Sequence, residues 1–177
     1  MDKHKSTRSY TLDEIGLVTG KLLQEATRHD SGKPQLHHIH PIFWKDYLRA
    51  HDLPLLIFRM SEAMDGFFYY HVPFAHNFLN EFTPPELHKM TQVLKFGSQK
   101  YDSLNYAKGM AYSRVLNSFR RHILALVNGE KEDYESHLPT EGHVYCNFMF
   151  LYLYSKTGTG TDDRPDLRPP VEKVKNE

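Results

Sequence analysis

Apolar residues recur every three or four positions in several separate segments of the chain, which is the spacing of an amphipathic helix. The first such segment begins at a capping box, Thr11 to Glu14, and predicts a helix that ends near Ala26. A second capping box, Thr83 to Glu86, opens a helix that continues toward Phe96, and Gly97 is expected to end or interrupt it.

Further helices are predicted on both sides of this one. Ser113 begins a strongly two-faced helix that ends at Asn128-Gly129, a typical C-terminal signal. The segment from Glu141 to Ser155 is apolar almost all round, which places this last helix at the centre of the fold. Two shorter helices are expected at Pro41 to Ala50 and at Pro54 to Met64, each opened by a proline.

The aromatic run from Gly66 to Phe74 is too short for its period to identify an element. It is compatible with a strand, a packed loop or an exposed partner surface. The remaining segments predict an all-α fold, a compact single-domain helical bundle over residues 1–156. Residues 41–82 form a candidate aromatic-rich insertion, and residues 157–177, rich in glycine, proline and charge, are expected to form an extended tail.

The composition narrows the class of protein. A chain of 177 residues suits one domain with its own hydrophobic core. Lysine plus arginine equals aspartate plus glutamate at 22 each, so the formal net charge is zero. A nucleic-acid-coating protein needs a basic surface, so nucleic acid is not the expected partner, although a local basic pocket for a small anion is allowed.

Cysteine content and hydropathy point to the compartment. Cys146 is the only cysteine, which excludes an internal disulfide and a four-cysteine zinc site. No apolar run resembles a signal peptide, and none approaches the ~20 residues of a membrane span. We therefore expect a cytoplasmic protein that does not use a membrane as its partner.

Candidate chemistry is concentrated on the two helices of the second half. The polar side of the Ser113 to Asn128 helix is either an ordinary solvated face or a site. The last helix carries His143 and Asn147 four positions apart and therefore on one face. A buried imidazole or amide costs on the order of 1–3 kcal/mol without a partner, so this pair indicates a structural hydrogen-bond network or a site. On the Ser113 to Asn128 helix, the polar residues lie within an arc of roughly 140°. They are Arg114, Asn117, Ser118, Arg121 and His122.

The loop between these helices, Gly129 to His137, is rich in carboxylates and imidazoles. A connection of ~10 residues brings His122 and His143 to the same end of two antiparallel helices. The loop is then either a solvated acidic turn or a metal site. Carboxylate oxygens suit magnesium or manganese, and histidines would favour a more borderline metal.

Two other segments supply cations for an anionic ligand. Asp30 to Lys33 is a glycine-containing turn that ends in a lysine, but it lacks the spacing of a P-loop. Lys100-Tyr101, followed by Asn105-Tyr106 and Lys108, combines lysines, an amide and aromatic rings. This mixture suits a base stacked on a ring with its phosphates on lysine.

A series of short motifs runs along the chain in a fixed order. They are Asp30 to Pro34, Phe96 to Tyr101, Asn105-Tyr106, Arg121-His122, Gly129-Glu130, Asp133, Glu135-Ser136, Leu138-Pro139, His143, Asn147 and Asp162 to Arg164. The order resembles the dATP/dGTP diphosphohydrolase N-terminal-like family, small helical domains common in phages. One departure is Thr140, which stands where that pattern has a histidine after Leu-Pro. The resemblance implies a nucleotide phosphohydrolase that acts on deoxypurine triphosphates.

The leading hypothesis is a divalent-metal-dependent hydrolase of nucleoside triphosphates. Glu130 and Asp133, with His122 and His143, are predicted to hold Mg²⁺ or Mn²⁺, which would lower the pKa of a bound water. Glu130, Asp133 and His122 are the predicted catalytic residues. Substrate contacts are predicted for Asp30, for the phosphate-binding Lys33, Lys100 and Arg121, for Tyr101 and Asn105 at the base or sugar, and for Asn147, which would orient His143 or the substrate.

Two other functions use the same residues differently. A nucleotide-sequestering protein would need the cations and rings but neither metal nor catalysis. An interaction module would instead present the aromatic segment 66–82 to a protein partner. A homo-oligomer is compatible with all three hypotheses, because the apolar helices could complete their core against a second copy.

Overall fold

The structure is a computed structural model that describes residues 35–170. The predicted helix from Thr11 to Ala26 and the turn with Asp30 and Lys33 lie outside the described residues. The chain divides into two compact units, Met1–Leu53 and Pro54–Glu177. The single domain over residues 1–156 stays a prediction.

The described part of the first unit contains a 3₁₀ turn at Leu36–His38 and helix α1 at Pro41–Arg49. His40 caps α1, because its Nδ1 accepts the Ile42 backbone N–H at 3.1 Å, and the first helical position is a proline that has no N–H to satisfy. The helix predicted from Pro41 to Ala50 is therefore confirmed to within one residue. Its buried apolar side chains include Trp44 and Leu48.

The second unit is built from four helices. These are α2 (Leu55–Tyr70), α3 (Pro84–Lys100), α4 (Tyr112–Val127) and α5 (Thr140–Thr157), with 3₁₀ turns at Phe78–Glu81 and Asn105–Lys108. The described residues 35–170 contain no β-strand, only two isolated β-bridges, Ala111–Thr161 and Glu132–Pro139. The all-α prediction is confirmed. None of the described helices is long and apolar enough to cross a membrane.

Helix α5 is the central element of this unit, as its all-round apolar sequence predicted. It packs mainly against α4 and α3, with additional contacts to α2. Val144, Phe148, Leu151 and Tyr154 have no exposed surface. At Gly142 the backbones of α3 and α5 approach so closely that a Cβ would lie 2.7 Å from the Lys89 carbonyl oxygen. Glycine is therefore required at this helix crossing.

The structure of the aromatic run excludes two of the three interpretations that the sequence allowed. Gly66 to Tyr70 continue α2 well beyond the end predicted at Met64, and the helix stops only at His71, which has a φ of 56°. Phe74 and Phe78 belong to the following connection and pack on Phe148 of α5, with ring centroids 5.4 and 4.6 Å apart. Phe67, Phe68, Tyr69, Phe74, Phe78 and Phe82 are all buried. These rings are core, so the strand and the exposed partner surface were wrong.

The segment after α5 is tied to the start of α4 and the end of α2. Thr161 forms a parallel bridge with Ala111, and the Asp163 carboxylate accepts the Ser113 backbone N–H at 2.9 Å, which caps α4. Arg164 donates to the Phe67 carbonyl at 3.1 Å and lies 4.2 Å from the Phe67 ring centroid. This segment closes the helical unit at the end away from the α4–α5 connection.

The close approach at Gly160 gives a first testable prediction. Gly160 has a φ of +88°, and a Cβ there would lie 2.6 Å from the Met110 carbonyl oxygen. Gly160→Ala is therefore expected to lower the free energy of unfolding by about 1–3 kcal/mol. Gly97 is the matched control, because it lies inside α3, contrary to the predicted break, and has nothing within 4 Å of a Cβ.

Gly97→Ala is expected to raise the free energy of unfolding by about 0.5–1 kcal/mol, since alanine restricts the unfolded chain and fits the helix. Urea denaturation of the two variants beside the parent chain measures both effects. Equal stability of Gly160→Ala and the parent would contradict the tight packing of this segment.

Candidate functional site

Helices α4 and α5 are antiparallel, and two ring pairs fix their register. The His122 ring stacks on the His143 ring with centroids 4.7 Å apart and planes at 21°. Toward the other end, the Tyr112 and Tyr154 rings stack at 6.4 Å and 11°. The structure therefore brings His122 and His143 together at the end of the helix pair where the connecting loop lies.

The loop contributes two side chains to this end. The Asp133 carboxylate accepts the Ser136 hydroxyl at 3.0 Å and the backbone N–H groups of Ser136 and Glu135 at 2.9 and 3.2 Å. The Ser136 Oγ lies 2.8 Å from His143 Nε2. We call His122, Asp133, Ser136 and His143 the histidine cluster. Asp133 reaches His143 through Ser136, since the direct separation of Asp133 Oδ2 and His143 Nε2 is 3.6 Å.

The loop backbone holds these side chains in place. The Thr140 hydroxyl donates to the Glu130 carbonyl at 2.7 Å, and its N–H donates to the Lys131 carbonyl at 2.9 Å. The Asp133 N–H donates to the Leu138 carbonyl at 2.9 Å. Thr140, the residue that departs from the family pattern, thus fastens both ends of the loop at the start of α5.

The hydrogen bonds around Ser136 determine the state of His143. A hydroxyl has one proton and two acceptor positions. The proton goes to Asp133, and the Leu138 N–H, 3.3 Å away, takes one acceptor position. His143 Nε2 therefore donates into the second position and carries the ring hydrogen. The Nδ1 of a neutral His143 is then left with its lone pair.

The pKa values favour the same protonation states. Burial would raise the pKa of Asp133, but the Ser136 backbone N–H, His143 and His122 outweigh it and lower the pKa below its usual value. Burial lowers the pKa of His143, and the nearby Asp133 and Glu135 oppose this effect only in part. At neutral pH the cluster therefore contains an ionised carboxylate and a neutral His143.

The residues predicted to hold a metal do not form a closed ligand set. Glu130 is exposed, and its carbonyl, not its carboxylate, is tied to Thr140. Imidazole lone pairs lie in the ring plane, so two stacked rings do not converge on one ion. Within residues 35–170 no group of three or more His, Cys, Asp or Glu side chains is arranged to hold a metal. The four-residue metal site stays a prediction.

The predicted substrate contacts lie at different levels of the unit, since Asn105 opens a 3₁₀ turn whose Tyr106 stacks on Phe150, well along α5 from His143. Lys100 makes an ion pair with Glu135, and this hydrogen bond is the main reason that the pKa of Lys100 is raised. The Lys100 Nζ also lies 5.4 Å from the centroid of the exposed Tyr101 ring. Asn105 is exposed at the start of a 3₁₀ turn. The Asn147 amide donates to the His143 carbonyl at 2.8 Å, one turn back along α5.

The sequence did not single out two side chains, Ser136 in the histidine cluster and the structural Arg120. Ser136 appeared only as part of a motif, although it joins Asp133 to His143. Arg120 is fully buried and bonds Asp65 of α2 at 2.9 Å, whereas the predicted Arg121 is half-buried. A signal existed for Arg120, because it lies between Leu116 and Ile123 on the apolar face of α4.

Comparisons with known proteins bear on the second half of the chain. The family model described as dATP/dGTP diphosphohydrolase, N-terminal, matches residues 77–164, which include α3, α4, α5 and the histidine cluster. A dATP/dGTP diphosphohydrolase of Salmonella phage PMBT28 is 30% identical over 76 residues, which are 43% of this chain and 26% of the relative. The chain thus matches about a quarter of that relative's length. No solved structure matches the chain.

Proposed function

We propose that this chain, whose residues 77–164 match the N-terminal region of dATP/dGTP diphosphohydrolases, hydrolyses deoxypurine nucleoside triphosphates. The family resemblance inferred from the short motifs is confirmed by that match, and it supports a nucleotide diphosphohydrolase in general terms. The observation that carries the proposal is the histidine cluster, all of which lies inside the matched segment. It offers a neutral imidazole beside an ionised carboxylate, a combination suited to removing a proton from water.

In the proposed reaction, His143 Nδ1 accepts a proton from a water molecule as the water oxygen attacks phosphorus. The bond from water to phosphorus forms, and the bond from phosphorus to the bridging oxygen breaks. The positive charge that develops on His143 is stabilised by Asp133 through the Ser136 hydroxyl. His122, stacked on His143, limits the rotation of that ring and keeps Nδ1 directed at one position.

Lys100 and Arg121 would bind phosphate in this reaction, as the sequence predicted. Lys100 is exposed and has Glu135 as its partner, so a phosphate oxygen would replace a carboxylate oxygen on the same ammonium group. Tyr101 is 56% exposed and can stack on a base. Asp30 and Lys33 keep their predicted substrate contacts but lie outside the described residues.

Divalent-metal dependence is also part of the proposal. Magnesium is usually held by one or two protein carboxylates together with substrate phosphates, so it would arrive as the nucleotide complex and would neutralise phosphate charge. This differs from a site formed by Glu130, Asp133, His122 and His143 before substrate binds. A stoichiometric heat of binding for Mn²⁺ alone would support the four-residue site instead.

The test is to incubate the full chain with ribo- and deoxynucleoside triphosphates in the presence of magnesium, manganese or EDTA. Products are then separated by ion-exchange chromatography. Release of pyrophosphate or phosphate from dATP and dGTP, and its loss in EDTA, is the expected result. No turnover with any nucleotide, together with a rise in melting temperature on adding one of them, would replace hydrolysis by sequestration.

A further inference from the structure

The arginines of the second unit differ in their partners. Six arginines lie between Pro54 and Pro170, and four make an ion pair with a carboxylate at 2.6–2.9 Å: Arg59 with Glu81, Arg120 with Asp65, Arg164 with Asp162 and Arg168 with Asp166. The side chains of Arg114 and Arg121 make neither a hydrogen bond nor an ion pair with any residue in the described range 35–170. These two guanidinium groups have their donors available for a ligand.

Both arginines lie on the same side of α4. They are seven residues apart, which is two helical turns, about 10.5 Å along the axis and about 20° in direction. Arg114 is exposed and Arg121 is half-buried. The helix that carries them has no aspartate or glutamate anywhere between Tyr112 and Val127. No carboxylate of α4 itself can therefore neutralise the pair.

With no carboxylate on α4, the two arginines place like charges on one side of the helix. Burial lowers the pKa of Arg121, and the positive charge of Arg114 lowers it further. The two positive charges repel each other, and an anion that binds both of them relieves this repulsion. Guanidinium groups bind phosphate oxygens in pairs of parallel hydrogen bonds, so a phosphate chain is the anion that best uses two of them.

The neighbours of the pair place it beside the histidine cluster. His122 follows Arg121 directly and stacks on His143. From the register of the two helices, Ser118, which lies between the two arginines on α4, faces the level of Asn147 on α5. A phosphate chain bound along this side of α4 has one end at Arg114 and the other next to the histidines.

We propose that Arg114 and Arg121 form a polyphosphate clamp, which binds at least two linked phosphates along α4 and holds the inner end of the chain beside His122 and His143. The clamp extends the proposed function by adding Arg114, and it rests on that function only for its effect on turnover. Binding of the phosphate chain itself needs no catalysis. A monophosphate reaches only one guanidinium and is bound much more weakly than a triphosphate.

The experiment uses inorganic tripolyphosphate, pyrophosphate and orthophosphate as probes, titrated calorimetrically into the full chain at low salt. The parent is expected to bind tripolyphosphate most tightly and orthophosphate least. Arg114→Met and Arg121→Met are each expected to weaken tripolyphosphate binding about 10–100-fold, because each removes a charge-assisted pair of hydrogen bonds. Arg168→Met is the matched control, since it removes an equal charge from an exposed arginine that is paired with Asp166.

Tripolyphosphate binding by Arg114→Met as tight as by the parent, or an equal weakening by Arg168→Met, would overturn the clamp. If the parent hydrolyses nucleotides, Arg114→Met is expected to raise KM about 10-fold or more with little change in kcat. If it does not, the calorimetric result still decides the clamp. Loss of the proposed function and loss of the clamp are therefore separate outcomes.

Discussion

Arg120→Met is expected to lower the free energy of unfolding by about 3–5 kcal/mol, whereas the same replacement at the adjacent Arg121 leaves it within about 0.5 kcal/mol of the parent. The two residues differ in surroundings, not in chemistry. Arg120 has no exposed surface, bonds Asp65 at 2.9 Å and lies 5.2 Å from the Tyr69 ring centroid. Removing it takes the Arg120 charge away from a buried carboxylate, and loss of one partner is the costly way to break a buried ion pair.

A double-mutant cycle separates the ion pair from packing. Asp65→Leu should also be strongly destabilising, because it leaves the Arg120 charge buried. The double variant Asp65→Leu with Arg120→Met removes both charges and is expected to recover a large part of the loss. Urea denaturation measures all four proteins, with Arg121→Met as the control for removing an arginine from α4. Additive losses in the double variant would contradict coupling between α2 and α4 through this pair.

His143→Gln is expected to lower kcat about 100–10,000-fold, the range typical for loss of a general base, without a comparable loss of stability. Glutamine retains the size and polarity of the side chain but cannot accept and release a proton near neutral pH. His88→Gln is the matched control, since His88 lies exposed on α3, outside the cluster. Circular dichroism of both variants separates loss of the base from loss of the fold.

The pH dependence of kcat tests the same assignment with a definite sign. Because burial lowers the pKa of His143 below its usual value of 6.5, the neutral form persists at neutral pH. Activity should therefore be level near pH 7 and fall only as the pH drops below 6.5. Ser136→Ala removes the hydroxyl through which Asp133 stabilises the protonated His143, so the pKa of His143 should fall and the loss of activity should move to lower pH. If kcat of Ser136→Ala falls at the same pH as kcat of the parent, the titrating base is a group other than His143.

The folding of individual helices was predictable wherever residues three or four apart determined it. The Thr83 to Glu86 capping box opens α3, with the Thr83 N–H donating to the Glu86 carboxylate at 3.0 Å. The proline at the start of α1 predicted where that helix begins. The all-round apolar character of α5 predicted its central place in the second unit. Each of these features depends on short-range contacts that the sequence displays directly.

The predicted end of α2 was wrong because the true end depends on distant partners. Neither the extension of α2 to Tyr70 nor the continuation of α3 through Gly97 follows from local signals. Phe74 and Phe78 are buried because they pack on Phe148 of α5, which lies some 70 to 80 positions later in the chain. A run of nine residues could not show which of its faces meets that surface.

The candidate site shows the same division. The sequence by itself determined that α4 and α5 would be antiparallel neighbours carrying His122 and His143 at one end, because a short loop leaves little freedom. Only the tertiary structure decided that Ser136 links Asp133 to His143, that Arg120 is buried against Asp65, and that the half-buried Arg121 side chain makes no ion pair within residues 35–170. The sequence places Arg120 on the apolar face of α4 and Arg121 on the polar face, but it does not show which carboxylate Arg120 meets. Their different roles come from which side of α4 faces a carboxylate on another helix, and that depends on packing between distant segments.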